Sequence, residues 1–361
     1  MRAFLIGVAA AALLTGAATA QDKVVNVYNW SDYIDEEILA EFEAETGIKV
    51  VYDVFDSNEL LETKMLAGGS GYDVVVPTGT FMQRQIQAGV FEKLDKSKLP
   101  NLQNMWADIA SVTAKYDPGN EYSINYMWGT TGIGYNVAAV QERLGTDTVE
   151  TWDVIFKPEM LAKFEDCGIH ILDAPAELIP AALNYLGFSG DSHDPDEIEK
   201  AGALLETIRS SVKQFHSSAY IDALANGDIC LAVGWSGDVL QARDRAAEAD
   251  NGVSVEYAIP KEGALMWFDQ MAIPSDAPNK ENAHVFLDYI MRPEVIAKAS
   301  NYVYYANGNK ASQSLLNEDV IGDPAIYPPA EAVENLYVTT PYPPRVQRTV
   351  TRLWTRIKTG S

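Results

Sequence analysis

Residues 24–76 read VVNVYNWSDYIDEEILAEFEAETGIKVVYDVFDSNELLETKMLAGGSGYDVVV, and this stretch decides the fold. Val24-Val25-Asn26-Val27-Tyr28 is rich in β-branched and aromatic residues, which suit a pleated, half-buried strand. From Asp35 to Thr46 the period changes: Ile38, Leu39 and Phe42 share one helical face, and Gly47 ends it. Ile48 to Val54 returns to strand, Asn58 to Ala67 reads as a second helix stopped at Gly68-Gly69, and Tyr72 to Val76 as a third strand. Such β-α-β-α-β order builds a parallel sheet covered by helices.

The same grammar returns downstream. Gly168 to Leu172 and Ile229 to Val233 read as buried strands, and Val253 to Ile259 as another. Ala176 to Tyr185, Ala201 to Ser211, Gly237 to Ala249, Asn282 to Met291 and Pro293 to Ser300 read as helices. No repeat of 20–50 residues and no Gly/Ser/Pro linker divides the chain. Two α/β halves joined by crossing strands are therefore expected, with Gly129 to Asn136 as a candidate crossing. At the end, Val350, Leu353, Trp354 and Ile357 mark one face of a basic helix, Arg345 to Lys358, expected to dock on a lobe, with a permease or membrane contact as the alternative.

At 361 residues the chain has room for two domains. Its 51 acids against 27 bases leave a net charge of −24. That balance excludes nucleic-acid binding, which depends on neutralising phosphates with Lys and Arg, and argues against an anionic membrane as partner. At the N-terminus, Arg2, an apolar and small run from Ala3 to Leu14, and Ala18-Thr19-Ala20 have the form of a secretory leader. Residues 1–20 are thus expected to be removed on export. The two cysteines, Cys167 and Cys230, fit an oxidising compartment, either bridged or as two buried thiols. His170, His193, His216 and His284 are scattered, with no spacing for a metal.

Ligands in open parallel sheets sit beyond the carboxyl ends of the strands. Those ends carry Asn29-Trp30-Ser31-Asp32-Tyr33, Pro77-Thr78-Gly79-Thr80-Phe81, Asp173-Ala174-Pro175-Ala176-Glu177 and Gly234-Trp235-Ser236-Gly237-Asp238. Trp267-Phe268-Asp269 and the tyrosines of Tyr302 to Tyr305 continue the pattern. Taken singly, a carboxylate or hydroxyl here is most simply a helix cap, and each aromatic a core residue. Repeated at many strand ends, aromatic rings beside carboxylates are what an organic cation requires. No phosphate loop, dinucleotide fingerprint or G-x-S-x-G elbow accompanies them, and no cofactor is implied. A carboxylate-dependent hydrolase stays open on composition alone.

Asn29 to Tyr33, Tyr52 to Asn58, Thr130 to Asn136, Leu172 to Pro175, Phe215 to Ser218, Ala225 to Cys230, Gly234 to Asp238 and Ile259 to Gly263 resemble the periplasmic putrescine/spermidine-binding proteins of bacterial ABC transporters, the putrescine type above all. The resemblance runs from about Val24 to the C-terminus. It implies a non-catalytic, monomeric type II periplasmic binding protein: two α/β lobes joined by crossing segments, with the ligand cleft between them. Lobe 1 would comprise 24–130 plus about 260–302, and lobe 2 131–259 plus about 303–361. It also implies an inner-membrane ABC permease as partner and a disulfide between Cys167 and Cys230. Ligand contacts would come from Trp30, Ser31, Asp32, Tyr33, Thr78, Glu177, Ser217, Trp235, Asp238, Trp267, Asp269 and Tyr305. Asp269 with Ser31 would hold one ammonium of putrescine, and Asp238 with Glu177 and Asp32 the other. Spermidine and cadaverine are the nearest alternatives. Trp267 stands where phenylalanine is usual and Thr80 where serine is usual, and both substitutions would narrow the site.

Overall fold

The computed structural model describes residues 23–360, so the expected leader at 1–20 lies outside the described residues. Ten strands form one sheet: β1 (Val24–Trp30), β2 (Lys49–Phe55), β3 (Val74–Val75), β4 (Ser123–Asn136), β5 (Ile169–Ile171), β6 (Gln214–Phe215), β7 (Leu231–Trp235), β8 (Val255–Ala258), β9 (Leu265–Ala272) and β10 (Ala306–Asn307). Their order is β2-β1-β3-β9-β4-β7-β5-β6, with β8 and β10 also paired to β4. The β-α-β-α-β unit forms as expected, with β2 and β3 parallel to β1 on either side. Its helices, Glu36–Thr46 and Asn58–Ala67, are capped by the side chains of Asp35 and Ser57. Each cap satisfies an N–H that has no partner within the helix.

β4 joins the two halves. Its first part pairs antiparallel with β9, while its second part pairs with β7 and β8. The expected crossing, Gly129 to Asn136, is the latter part of this 14-residue strand. Two apolar cores lie along the sheet. One gathers Val25, Ile38, Phe42, Leu61, Phe286 and Ile290 around β1–β3. The other gathers Trp152, Phe156, Ile169, Leu178, Leu205 and Leu353 around β5–β7. Val303 and Tyr305 pack in the first, and Ala306 in the second.

The C-terminal helix, Pro344–Thr359, buries Val346, Val350, Leu353, Trp354 and Ile357. Each such side chain contributes roughly 1.5–3 kcal/mol on leaving water. Gly202 permits the contact, because a Cβ there would lie 2.4 Å from Leu353. Trp354 Nε1 and Lys358 Nζ donate to opposite oxygens of Asp173, each at 2.7 Å. Cys167 and Cys230 are bridged, with Cα atoms 5.6 Å apart. Cys230 immediately precedes β7 and Cys167 lies two residues before β5, and these strands run parallel with Ile169 opposite Leu231.

Candidate ligand cleft

β1, β2 and β7 run to their carboxyl ends at one place, where the two cores meet. A cavity of about 420 Å³ opens there. Every expected contact residue except Asp32 lines it. Trp30, Tyr33, Trp267 and Tyr305 are at least nine-tenths buried and form aromatic walls from the first core. Trp235, packed against both cores, meets Trp30 edge-on at 5.5 Å between ring centroids. Tyr305 makes edge contacts with both Tyr33 and Trp267. Close packing positions these rings. A Cβ at Gly129 would fall 2.8 Å from the Trp267 ring, and one at Gly237 would fall 2.5 Å from the Tyr305 ring.

Three buried acids face the cavity. Asp269, on β9, is 4% exposed and receives hydrogen bonds from Tyr33 Oη (2.9 Å) and Thr78 Oγ1 (2.7 Å). Thr78 is itself oriented by Asn58, whose Nδ2 donates to its hydroxyl and whose Oδ1 accepts its N–H. Asp238, in the first turn of helix Ser236–Ala249, receives Tyr220 Oη and Tyr305 Oη, each at 2.7 Å. Glu177, in the first turn of helix Pro175–Tyr185, accepts the hydroxyl of Thr131. Each helix N-terminus adds favourable dipole potential for an anion.

Burial dominates the electrostatics. It pushes the carboxyls of Asp269, Asp238 and Glu177 up to about 7, against the opposing pull of the hydroxyl donors. Asp238 raises Asp269 further, and Asp269 raises Glu177. Burial, with the nearby acids, likewise holds Tyr33, Tyr220 and Tyr305 well above the usual phenol range. These tyrosines therefore act as hydrogen-bond donors to the buried carboxylates. Among the described residues, no group of three or more His, Cys, Asp and Glu side chains is placed to hold a metal. Two further polar atoms of cavity-lining residues, Ser217 Oγ and Trp267 Nε1, are buried with no hydrogen-bond partner in the protein. Buried polar groups seldom go unpaired, so both are suited to a bound molecule or water.

Asp32 is placed apart from the other expected contacts. It adopts a left-handed backbone (φ 53°), and its carboxylate lies 2.6 Å from Arg245 Nη2, outside the cavity lining. Thr80 also stands apart: it lines two neighbouring grooves, whereas Trp267 lines the cavity itself. Asp56 and Asn58, just beyond β2, do line the cavity although they were not expected there. The strand-end rule that singled out the other residues applies to β2 as well and would have found both.

A two-lobed α/β protein with a cation-seeking cleft is a solute receptor by form, and the chain belongs to the family of bacterial extracellular solute-binding proteins, whose model matches residues 37–328. Its fold is the type II periplasmic binding-protein fold. Over 358 residues it is 51% identical to the putrescine-binding periplasmic protein SpuD of Pseudomonas aeruginosa, covering 99% of this chain and 98% of that one. It is 50% identical to the putrescine-binding periplasmic protein PotF of Escherichia coli, again over 99% and 98%. Among solved structures, the spermidine/putrescine ABC transporter substrate-binding protein PotD of Streptococcus pneumoniae superposes with a TM-score of 0.75 at 30% identity, over 93% of this chain and 98% of that one.

Proposed function

We propose that this chain is a periplasmic receptor that captures a polyamine, putrescine above all, by closing two lobes on it and delivers it to an ABC permease without chemically changing it. The observation that carries this reading is the pair of buried aspartates, Asp269 and Asp238, each already receiving two hydroxyl donors and both lining one aromatic-walled cavity. A buried ammonium needs a carboxylate close by, because neither charge tolerates desolvation alone. Aromatic faces cover the four methylenes between the two ammonium groups and still attract the charged ends. Asp269 with Ser31 takes one ammonium, and Asp238 with Glu177 takes the other. The lobes follow the two cores, with β4 and β9 crossing between them. A cleaved leader at residues 1–20 supplies export, and the relatives' periplasmic character supports that location.

Calorimetric titration with putrescine, cadaverine, spermidine and spermine tests this. One-to-one putrescine binding, tightest of the four and with the diamine recovered unchanged, is the expected result. Absence of heat with all four polyamines would overturn the reading, and a spermidine preference would reassign the ligand within the same class.

A further inference from the structure

Residues 216–220 supply the cleft with two groups at once. Ser217 is 5% exposed, lines the cavity and has a hydroxyl with no hydrogen-bond partner in the protein. Tyr220 is fully buried; its hydroxyl donates to Asp238 Oδ2 at 2.7 Å and accepts the N–H of Trp235 at 3.1 Å. One end of the segment is tied to β5, where the His216 N–H donates to the Ile171 carbonyl. The other end enters the short helix Tyr220–Ala225.

A side chain closes the turn between them. His216 Nδ1 lies 3.1 Å from the backbone nitrogens of both Ser218 and Ala219, with Ser218 Oγ at 3.4 Å. Among the described residues, no backbone carbonyl takes either N–H. A backbone N–H can only donate, so Nδ1 accepts, and the neutral ring carries its proton on Nε2. The imidazole thus does what the Oδ1 of an asparagine does at a turn or helix start. It differs in one respect: Nδ1 can take up a proton. An Nδ1–H would face two donors and leave both N–H groups without an acceptor. His216 is half-buried and borders an open groove, so protons reach it from solvent.

We propose that His216 is a positioning residue for ligand capture: unprotonated, its Nδ1 holds Ser217 and Tyr220 in the cleft, and its protonation loosens them. The proposal rests on the capture reading above. The effect falls on the Asp238 end of the cavity. With Tyr220 displaced, Asp238 keeps only the Tyr305 hydroxyl of its two tyrosine donors, and the Trp235 N–H loses its acceptor. The titratable groups around the ring are Asp56, Glu59, Asp173 and Lys358, which line the same groove, with His170 on β5 and Lys213 just before β6. All six are present whichever residue stands at 216, as are the buried acids of the cleft. Comparing proteins that differ only at 216 therefore removes their common contribution to any pH dependence.

Two variants separate the acceptor from the proton. His216→Asn puts an amide Oδ1 where Nδ1 stands and cannot be protonated, whereas His216→Ala removes the acceptor. Putrescine affinity is measured by calorimetry from pH 8 to pH 5, with circular dichroism reporting the fold. At pH 8, H216N is expected within twofold of wild type and H216A about five- to tenfold weaker. The ratio of the wild-type to the H216N dissociation constant is expected to rise from about one at pH 8 to at least threefold at pH 5, across the interval in which imidazoles ordinarily titrate. Nitrogen-15 spectra of the putrescine-loaded protein at pH 8 are expected to show His216 as the Nε2–H tautomer. A ratio that stays flat, an Nδ1–H tautomer, an H216A affinity equal to wild type, or an H216N affinity no better than that of H216A would each overturn the proposal. Where H216A does not fold, the ratio for H216N decides. Failure of the capture reading appears separately, as wild type that gives no putrescine heat at any pH.

Discussion

Arg245 joins the two halves of the molecule through Asp32: its Nη2 lies 2.6 Å from Asp32 Oδ1, while its Nη1 lies 2.7 Å from Asp222. Asp32 follows β1 next to the cavity-lining Ser31, and Arg245 lies two turns beyond Asp238 on the same helix. Gln241, one turn before Arg245, adds donors to the carbonyls of Asp32 and Val303. The acid expected to hold ligand is thus ion-paired to the opposite half of the molecule. Both side chains are about one-third exposed, so the pair contributes only about 0.2–1 kcal/mol. Arg245→Ala is expected to weaken putrescine binding about two- to fivefold, chiefly through faster dissociation seen in stopped-flow fluorescence. A loss of a hundredfold would return Asp32 to the ligand site.

Asp269→Asn keeps the shape of the anchor and removes its charge. Loss of one partner of a buried, hydrogen-bonded charge pair costs about 2–5 kcal/mol, or roughly 30-fold to several thousandfold in affinity. Asp238→Asn is expected to fall in the same range, nearer its lower end on the proposal that Glu177 shares that ammonium. Glu92→Gln is the control: Glu92 pairs with Lys280 away from the cavity and is expected to leave affinity unchanged. If Asp269→Asn binds within about threefold of wild type, under roughly 0.7 kcal/mol, Asp269 is not the anchor.

Binding should release protons near neutrality. Burial holds Asp269, Asp238 and Glu177 at about 7, and an adjacent ammonium favours their charged forms. Putrescine affinity is therefore expected to rise from pH 5 to pH 8, and calorimetry in buffers of different ionisation enthalpy should show proton release at pH 7. The unliganded protein behaves in the opposite sense. A carboxyl raised from an ordinary value near 4 to about 7 binds more protons folded than unfolded in that window, so these three groups remove stability as pH rises through it. The putrescine-induced rise in melting temperature should accordingly be larger at pH 8 than at pH 5. An increment independent of pH would show that these carboxyls are not raised to about 7 in the unliganded protein.

Reducing Cys167–Cys230 should separate stability from function. The bridge spans 63 residues, and a loop of that length contributes about 4 kcal/mol through the unfolded chain. Cys230 precedes β7, whereas Trp235, at the opposite end of the same strand, lines the cleft. Cys167→Ser/Cys230→Ser is expected to unfold at distinctly lower denaturant concentration and to bind putrescine within twofold of wild type. A large loss of affinity in a folded variant would show that the bridge positions the cleft.

Elements with a clear period or a cap were legible from residues alone. The first β-α-β-α-β unit, the buried strands β5, β7 and β8, and the C-terminal amphipathic helix lie within a few residues of their expected places. β9 was less so: Leu265–Ala272 is buried almost throughout, and a short, continuously buried run lacks the alternation that marks a strand. The start of β4 was hidden for the same reason. Nor does any local pattern disclose that β4 carries both halves of the sheet, since its partners lie about 100 residues or more away.

By itself the sequence determined an acidic, two-part α/β chain with aromatic–carboxylate pairs at its strand ends, because these properties reside in composition and short-range periodicity. Tertiary structure alone decided which carboxylates face the cavity. Asp269 and Asp238 are 31 residues apart and are turned inward by Tyr33, Thr78, Tyr220 and Tyr305, which come from separate elements. Asp32 belongs to one of the most suggestive motifs in the chain, yet a left-handed backbone and an arginine 213 positions away draw its carboxylate out of the cavity lining. A side chain's direction depends on partners brought together by folding, and no local stretch of sequence contains them.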